Sequence, residues 1–399
     1  MEELLLLVHR IPYPPNKGDK IRSYHLLRFL TARYRVHLGA FVDDPADFAH
    51  ATQLQAMCTS LCLRPLDARR AKLRAFSGLL TGEALSLPYY RDRGFARWVD
   101  GVLARGVRRV VVFSSAMAQY VLDRPGLELV TDFCDVDSDK WRQYAQVQRW
   151  PQSWVYRREA ARLLAFDRRV AAASRAALFV SEPEAALFRQ LAPEAAGHTG
   201  FFHNGVDTAY FDPATTYENP YPAGGRPLVF TGAMDYRANV DAVDWYARAV
   251  LPIVRAAQPD AQFWIVGSRP AAAVQALGAL PGVSVTGAVA DVRPYVAHAA
   301  AAVAPLRIAR GVQNKVLEAM AMARPVLATT AAMDGIVPNP RFDALVADEA
   351  APLAAHTIRL LADGDRDGLG ALGRAWVLAH YDWDTNLRPV AGWLEREAA

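Results

Sequence analysis

Short apolar runs recur along this chain, separated by longer stretches of helical periodicity, and that alternation restricts it to one class of fold. In the first half the runs are LLLLV (4–8), VHLGAFV (36–42), VVVFSS (110–115), LELVTDF (127–133) and AALFVS (176–181). In the second half they are PLVFTGA (227–233), QFWIVGS (262–268), VSVTGAV (283–289), AAVAPL (301–306) and PVLATT (325–330). Helical patterns such as 158–173, 239–256 and 316–323 lie between them. Strands apolar on both sides and joined by helices form parallel sheets covered on both faces. Two such series predict an α/β protein of two doubly wound, Rossmann-like domains. With 399 residues, each can bury its own core. The boundary is expected near HNGVDTAYFDP (203–213), where Asn204-Gly205 and Asp212-Pro213 are turn signals. The expected domains are 1–205 and 206–380, with a closing helix in 381–399 that packs back on the first domain.

Composition excludes several classes. The net charge of +4 does not demand nucleic acid, and no nucleic-acid partner is expected. Cys58, Cys62 and Cys134 cannot all pair, and no His or Cys set stands near Cys58 and Cys62 to hold zinc. Reduced thiols in a cytoplasmic protein are expected. The apolar run in MEELLLLVHR is too short for a signal-peptide core or a membrane span, so the protein is expected to be soluble or peripheral.

In doubly wound sheets ligands bind outside the carboxyl ends of the strands, so the residues after each apolar run carry the functional signal. After the first run, HRIPYPPNKGDKIRSYHLLRFL (9–30) makes a Pro-rich loop before Lys17-Gly18-Asp19 opens a helix. Gly18 permits close approach to the backbone, the helix start offers N–H groups to an anion, and Lys17, Lys20 and Arg22 add charge. A Pro-rich turn with a solvated basic helix face is the alternative. In TDFCDVDSDKW (131–141), Asp135-Val136-Asp137 has the form of a Mg²⁺ or Mn²⁺ site. Asp and Ser in strand-end loops more often cap helices and form turns, so no metal is expected. Asp132 and Asp135 remain candidates for lining a cleft.

The stretch 139–175 sets Trp141, Tyr144, Trp150, Trp154 and Tyr156 among many arginines. Tryptophan with arginine suits an anionic lipid surface. The alternatives are a long helix with snorkelling arginines and, last, stacking on single-stranded nucleic acid.

In the second half, Gly232 and Arg237 follow one strand, Gly267 and Arg269 the next, and Gly287 and Asp291 a third. RGVQNKVLEAMA (310–321) is the strongest signal. As one helix it stacks Gly311, Asn314, Lys315 and Glu318 on one side, with Gly311 at a start that favours an anion. Glu318 would stand about 10 Å from that start at ~1.5 Å per residue. A phosphate at the helix start and a carboxylate one sugar-length away match a nucleoside diphosphate, with Glu318 accepting from ribose hydroxyls. An exposed Lys315–Glu318 pair, worth only ~0.2–0.5 kcal/mol, is the alternative.

These residues resemble the retaining glycosyltransferases of family 4, which have the GT-B fold of two Rossmann-like domains facing an interdomain cleft. The resemblance spans nearly the whole chain. It is nearest to the sugar transferases of PEP-CTERM/exosortase exopolysaccharide systems, in RIPYPPNKGDKIRSYHLLRFL, DFCDVDSDKW, HNGVD, TGAMDYRANVDAV and ARGVQNKVLEAMAMARPVLAT. It implies that Glu318 binds the donor ribose, that Gly18 lies beside the donor phosphates and that Gly232 begins the donor loop. Arg310 stands where many members carry the first Glu of E-x7-E. Met234 and Arg237 occupy the loop where the family carries an Arg and Lys pair, so Lys315, Arg310 and Arg237 are the cations left for the diphosphate.

The implied catalytic set is Glu318, Lys315, Arg310 and Asp135. The implied donor-binding set is Gly18, Lys17, Gly232, Arg237, Gly267, Gly311, Asn314 and Glu318. No metal and no cofactor is implied beyond the nucleotide-diphosphate sugar itself. The implied function is retaining hexosyl transfer to a lipid-linked or polysaccharide acceptor, by a cytoplasmic enzyme peripheral to the inner membrane through 139–175. Two other readings stand beside it. One is an epimerase-like GT-B enzyme drawing on His9, Asp132 and His203; the other is a non-catalytic GT-B binding protein, suggested by Arg310.

Overall fold

Leu4, Leu5, Leu6, Leu7 and Val8 are all fully buried, as a strand covered by helices on both faces requires. They form β1 (Glu3–Val8) in the interior of a seven-stranded sheet. The computed structural model describes residues 1–309 and 311–395. Two units divide them: Met1–His203 with the described part of Asn386–Ala399, and Asn204–Thr385.

The first unit contains β1, β2 (Arg35–Val42), β3 (Ser60–Pro65), β4 (Arg109–Phe113), β5 (Glu128–Cys134), β6 (Ala176–Phe179) and β7 (Thr199–Phe201). Their order is β3-β2-β1-β4-β5-β6-β7, all parallel, so the winding reverses between β1 and β4. The apolar runs anticipate five of these strands. β3 escapes because its burial is only partial at the sheet edge, and β7 because it has three residues.

The second unit contains β8 (Arg226–Thr231), β9 (Ala261–Val266), β10 (Val283–Gly287), β11 (Ala301–Ala304) and β12 (Val326–Ala328). Their order is β10-β9-β8-β11-β12, again parallel. Here the winding reverses between β8 and β11, and the loops leaving those two strands flank the switch point where such sheets bind ligands. The α/β, doubly wound expectation therefore holds in both units. The closing helix Trp383–Glu395 starts in the second unit and groups with the first from Asn386 onward.

The helix Gly18–Thr31 corrects one expectation about charge. Lys20 and Arg22 do not add to an open anion site, because both are buried. Lys20 Nζ donates to Asp47 at 2.5 Å. Arg22 donates through Nε and Nη2 to both carboxylate oxygens of Asp132, at 2.7 and 3.0 Å, and through Nη1 to the Phe202 carbonyl at 3.0 Å. Its guanidinium also lies 3.5 Å from the centroid of the Phe202 ring. Asp132 is accordingly a buried structural partner, not a cleft-lining acid.

Candidate functional site

The carboxyl ends of β8, β9 and β10 are laced together by glycines. Gly232 N–H donates to the Val266 carbonyl and Gly267 N–H to the Gly287 carbonyl, each at 3.1 Å. A Cβ on Gly267 would lie 1.7 Å from the Gly232 oxygen, and one on Gly232 would lie 2.8 Å from Asn239 Nδ2. The space that a side chain would fill beside both glycines is thus taken by the protein itself. At Gly267 and Gly232 the absence of a side chain is what lets the strand ends pack on each other.

Beyond β11 the chain reaches the helix Asn314–Ala321, which begins three residues later than Gly311. Gly311 and Val312 therefore belong to the loop, and Gly311 does not stack under Glu318. Its φ of +67° is a left-handed conformation that suits glycine, and nothing lies within 4 Å of where its Cβ would be. The loop rests on Gly335, where a Cβ would meet Val312 N at 2.3 Å and Gly311 C at 2.4 Å. Val316, Leu317, Ala319, Met320 and Ala321 are buried, which fixes the helix to the sheet. Gln313, at its N-cap position, makes no side-chain capping bond. Asn314 Oδ1, at the first position, is buried without a hydrogen-bond partner among the described residues. Glu318 now stands about 6 Å along the helix at ~1.5 Å per residue, closer to the anion-favouring end than the longer helix would allow.

Lys315 is held by two groups from the β8 side. Its Nζ donates to Asn239 Oδ1 at 3.2 Å and lies 5.1 Å from the centroid of the Phe230 ring. Asn239 Nδ2 in turn donates to the Ala233 carbonyl at 2.9 Å. A small cavity beneath is lined by Val229, Thr231, Ala302, Ala304, Lys315 and Ala319.

Burial pushes the Lys315 ammonium down to about 8 and the Glu318 carboxyl up to about 7, each opposed by the other's charge. Both residues keep part of their surface open to water, which moderates these penalties. Among the described residues nothing hydrogen-bonds to the Glu318 carboxylate, which leaves it available to them as an acceptor.

Other cations nearby are already engaged. Arg269 pairs with Asp235 at 3.1 Å, Arg307 with Asp241 at 2.5 Å, and Arg293 with Asp291 at 2.7 Å. Arg237 is exposed at the first position of the helix Arg237–Trp245, with no side-chain partner among the described residues. Arg310 lies outside the described residues. Lys315, Glu318, Asn314 and Arg237 are thus gathered on the two helices that flank the switch point.

In the first unit, Gly18 is exposed at the start of its helix with nothing within 4 Å of its Cβ position, and Lys17 occupies the N-cap position half-buried. Asp135 and Asp137 share the Lys140 ammonium, at 2.7 and 3.0 Å. That cation sits where a metal would have to bind both. Among the described residues no group of three His, Cys, Asp or Glu is placed to hold a metal ion. His9, Asp132 and His203 do not form a shared acid–base set. His9 Nε2 faces Asp19 at 3.3 Å, Asp132 belongs to Arg22, and His203 is half-buried.

Within 139–175 most cations have local partners. Arg158 donates to the Gly78 and Glu83 carbonyls, Arg168 pairs with Glu194 and Arg175 with Glu128. Trp141 and Tyr156 pack on each other at 5.1 Å. The outward aromatics are Tyr144, Trp150 and Trp154. No described helix is long and apolar enough to cross a membrane.

Asn239 and Gly335 were not legible as site residues. Asn239 did leave a trace, because it is a polar residue on the same buried helix side as Ala238, Ala242 and Val243.

Residues 225–363 match the family model described as Glycosyl transferases group 1. No curated protein matches the chain. Among solved structures, the chain is similar to sucrose-phosphate synthase from Thermosynechococcus elongatus, with 19% identity over 98% of each chain and a TM-score of 0.68. It is also similar to WaaG, a glycosyltransferase involved in lipopolysaccharide biosynthesis, with 16% identity over 99% of this chain and all of that one and a TM-score of 0.66. A third is Anabaena HepE in complex with UDP, with 14% identity over 99% of each chain and a TM-score of 0.63. The chain therefore has the GT-B fold along its length, and its second unit carries a group 1 glycosyltransferase domain.

Proposed function

We propose that the protein is a retaining, metal-independent glycosyltransferase that moves a hexosyl group from a nucleotide-diphosphate sugar to a lipid-linked or polysaccharide acceptor. The observation that carries the reading is that the Lys315 ammonium, held by Asn239, and the Glu318 carboxylate, which has no hydrogen-bond partner among the described residues, stand on one helix at the switch point of the matched domain. Lys315, the start of its helix and Arg237 offer positive charge to a diphosphate. Glu318 accepts from the ribose hydroxyls. The bond from the sugar's anomeric carbon to the β-phosphate oxygen breaks, and these groups stabilise the charge that develops on the departing diphosphate. The acceptor oxygen attacks the same face, and its proton passes to the leaving phosphate. No enzyme nucleophile is required; positioning and electrostatics supply the acceleration.

Arg310 is assigned to the diphosphate on the sequence resemblance alone, as are Asp135 to the acceptor side and Gly18 and Lys17 to the donor phosphates. The same resemblance places the reaction in exopolysaccharide synthesis of the PEP-CTERM type at the cytoplasmic face of the inner membrane, with 139–175 toward the lipid. UDP is the first nucleotide to test, because a similar fold holds it in the HepE complex.

Calorimetry with UDP, GDP and their sugar conjugates, with and without EDTA, tests the reading. Binding of one nucleotide that survives EDTA and is lost in Glu318→Ala supports it. No binding of any nucleotide overturns it, and binding lost in EDTA overturns metal independence. The anomeric coupling of the product, read by NMR, decides retention.

A further inference from the structure

The segment Ala68–Ala75 followed by Ser77–Thr81 in the first unit is an almost unbroken helix, because the intervening Phe76 is itself helical (φ −59°, ψ −26°). Its amphipathicity is inverted. Ala71 and Gly78 face the protein and are buried, with Ala75 half-buried between them. Leu73, Phe76 and Leu80 face solvent, at 72%, 61% and 92% exposure. Positions 73, 76 and 80 are spaced by three and four, so they form one stripe.

The inward face is small because the backbone packs closely: a Cβ on Gly78 would meet the Glu83 carbonyl at 3.3 Å and Pro88 at 3.4 Å. The segment is fastened there. Arg74 Nη2 donates to the Tyr89 carbonyl at 3.0 Å. Arg158 donates to the carbonyls of Gly78 at 2.6 Å and Glu83 at 3.0 Å. Glu159 accepts from the N–H groups of Leu85 and Ser86 at 2.6 and 3.1 Å. Large apolar side chains are therefore held outward by a fixed scaffold rather than left out by a loose loop.

Trp154, one turn before Arg158 on the helix Gln152–Ala173, is 51% exposed, and Trp150 is 80% exposed. Around the stripe Arg69, Arg70 and Lys72 are exposed, and Asp67, the capping residue, is the one acid in 67–82.

We propose that this inverted helix, with Trp154 one turn from the Arg158 that fastens it, docks on an anionic lipid surface by inserting Leu73, Phe76 and Leu80 between headgroups that pair with Arg69, Arg70 and Lys72. The proposal rests on the membrane part of the function proposed above and names the surface and its partner. An apolar stripe rimmed by cations is complementary to a bilayer carrying negative headgroups. A second copy of the chain would bring the same cations face to face, and that repulsion opposes self-association.

The test is co-sedimentation of the full chain with vesicles of phosphatidylcholine alone or with about one third phosphatidylglycerol, across a salt series. Alongside it run light scattering for oligomeric state and calorimetry with UDP, GDP and their sugar conjugates for the donor site. The expected result is binding to the anionic vesicles that weakens with salt. Leu73→Ser/Phe76→Ser/Leu80→Ser should lower the partition coefficient on the order of tenfold or more. Arg69→Gln/Arg70→Gln/Lys72→Gln should lower it on the order of tenfold and flatten the salt dependence. Because these residues are exposed, both variants should fold with unchanged circular dichroism and unchanged nucleotide binding. Absence of wild-type binding to anionic vesicles overturns the proposal, as does binding unaffected by the serine variant or a dimer that the serine variant dissolves. Failure of the wild type to bind any of UDP, GDP and their sugar conjugates would instead strike the transferase reading and leave this surface standing on its own result.

Discussion

Lys315 and Asn239 join the two helices at the switch point of the second unit. The lysine Nζ donates to the asparagine Oδ1 at 3.2 Å, and the asparagine Nδ2 donates to the Ala233 carbonyl at 2.9 Å. The amide is thus used at both ends, and the loop after β8 is tied through one side chain to the cation on the Asn314 helix.

Replacing Asn239 should disturb both partners. Asn239→Leu leaves the Ala233 carbonyl and the Lys315 ammonium without their bonds in a half-closed site, at a cost of about 1–3 kcal/mol in stability. Asn239→Asp keeps an acceptor for Lys315 but removes the donor to Ala233 and adds a negative charge. It should raise the Lys315 pKa above its present value of about 8 while weakening UDP binding. Denaturant melts of the two variants and UDP titration against pH check these outcomes.

Nucleotide binding should have a bell-shaped pH dependence. Under the proposed function a nucleotide needs Glu318 ionised and Lys315 protonated, and burial brings those two conditions to about 7 and about 8. The limbs belong to the pair rather than to either residue. Lys315→Met should move the acid limb upward, because Glu318 loses the charge that favours its ionised form.

In the free protein the signs are opposite in the two groups. The raised Glu318 value contributes stability that is fully present below its ordinary 4.5 and is lost as pH rises through about 7. The lowered Lys315 value costs stability below about 8, and that cost is relieved as pH rises toward 10.5. Calorimetric titration with UDP from pH 5.5 to 9.5 reads the bell, and melts over the same range read the stability terms.

Gly267 and Gly18 should respond oppositely to alanine. A Cβ at Gly267 would sit 1.7 Å from the Gly232 oxygen, so Gly267→Ala must push two strand ends apart, costing about 3 kcal/mol or more. Gly18 begins a helix with open space beside it, so Gly18→Ala should leave the melting temperature unchanged within about 1 °C. Differential scanning fluorimetry separates the two.

Lys140→Met should uncover the paired carboxylates. Without the ammonium, Asp135 and Asp137 repel each other, at a modest cost of about 1 kcal/mol because all three side chains are partly exposed. The same change should create a weak Mn²⁺ response. Thermal melts with millimolar Mn²⁺ should show no shift in wild type and a stabilising shift in the variant.

The sequence by itself determined the two parallel sheets, because a strand buried on both faces has to be apolar along its whole length, as 4–8 and 227–230 are. It also determined where to look, since a switch point lies at strand ends and Lys315 and Glu318 follow one. What it left open was which groups are used up within the fold.

Arg22 reads as a surface cation until the tertiary structure brings Asp132 to it across 110 positions. Gly267 reads only as a glycine after a strand until the Gly232 carbonyl is seen where its Cβ would be. Leu73, Phe76 and Leu80 have the spacing of a buried face, yet Ala71 and Gly78 are the residues that pack. Periodicity reports that a helix has two faces. Which face turns inward, and which charges find a partner, is decided by the closeness of the neighbouring backbone, and that exists only once the chain has folded.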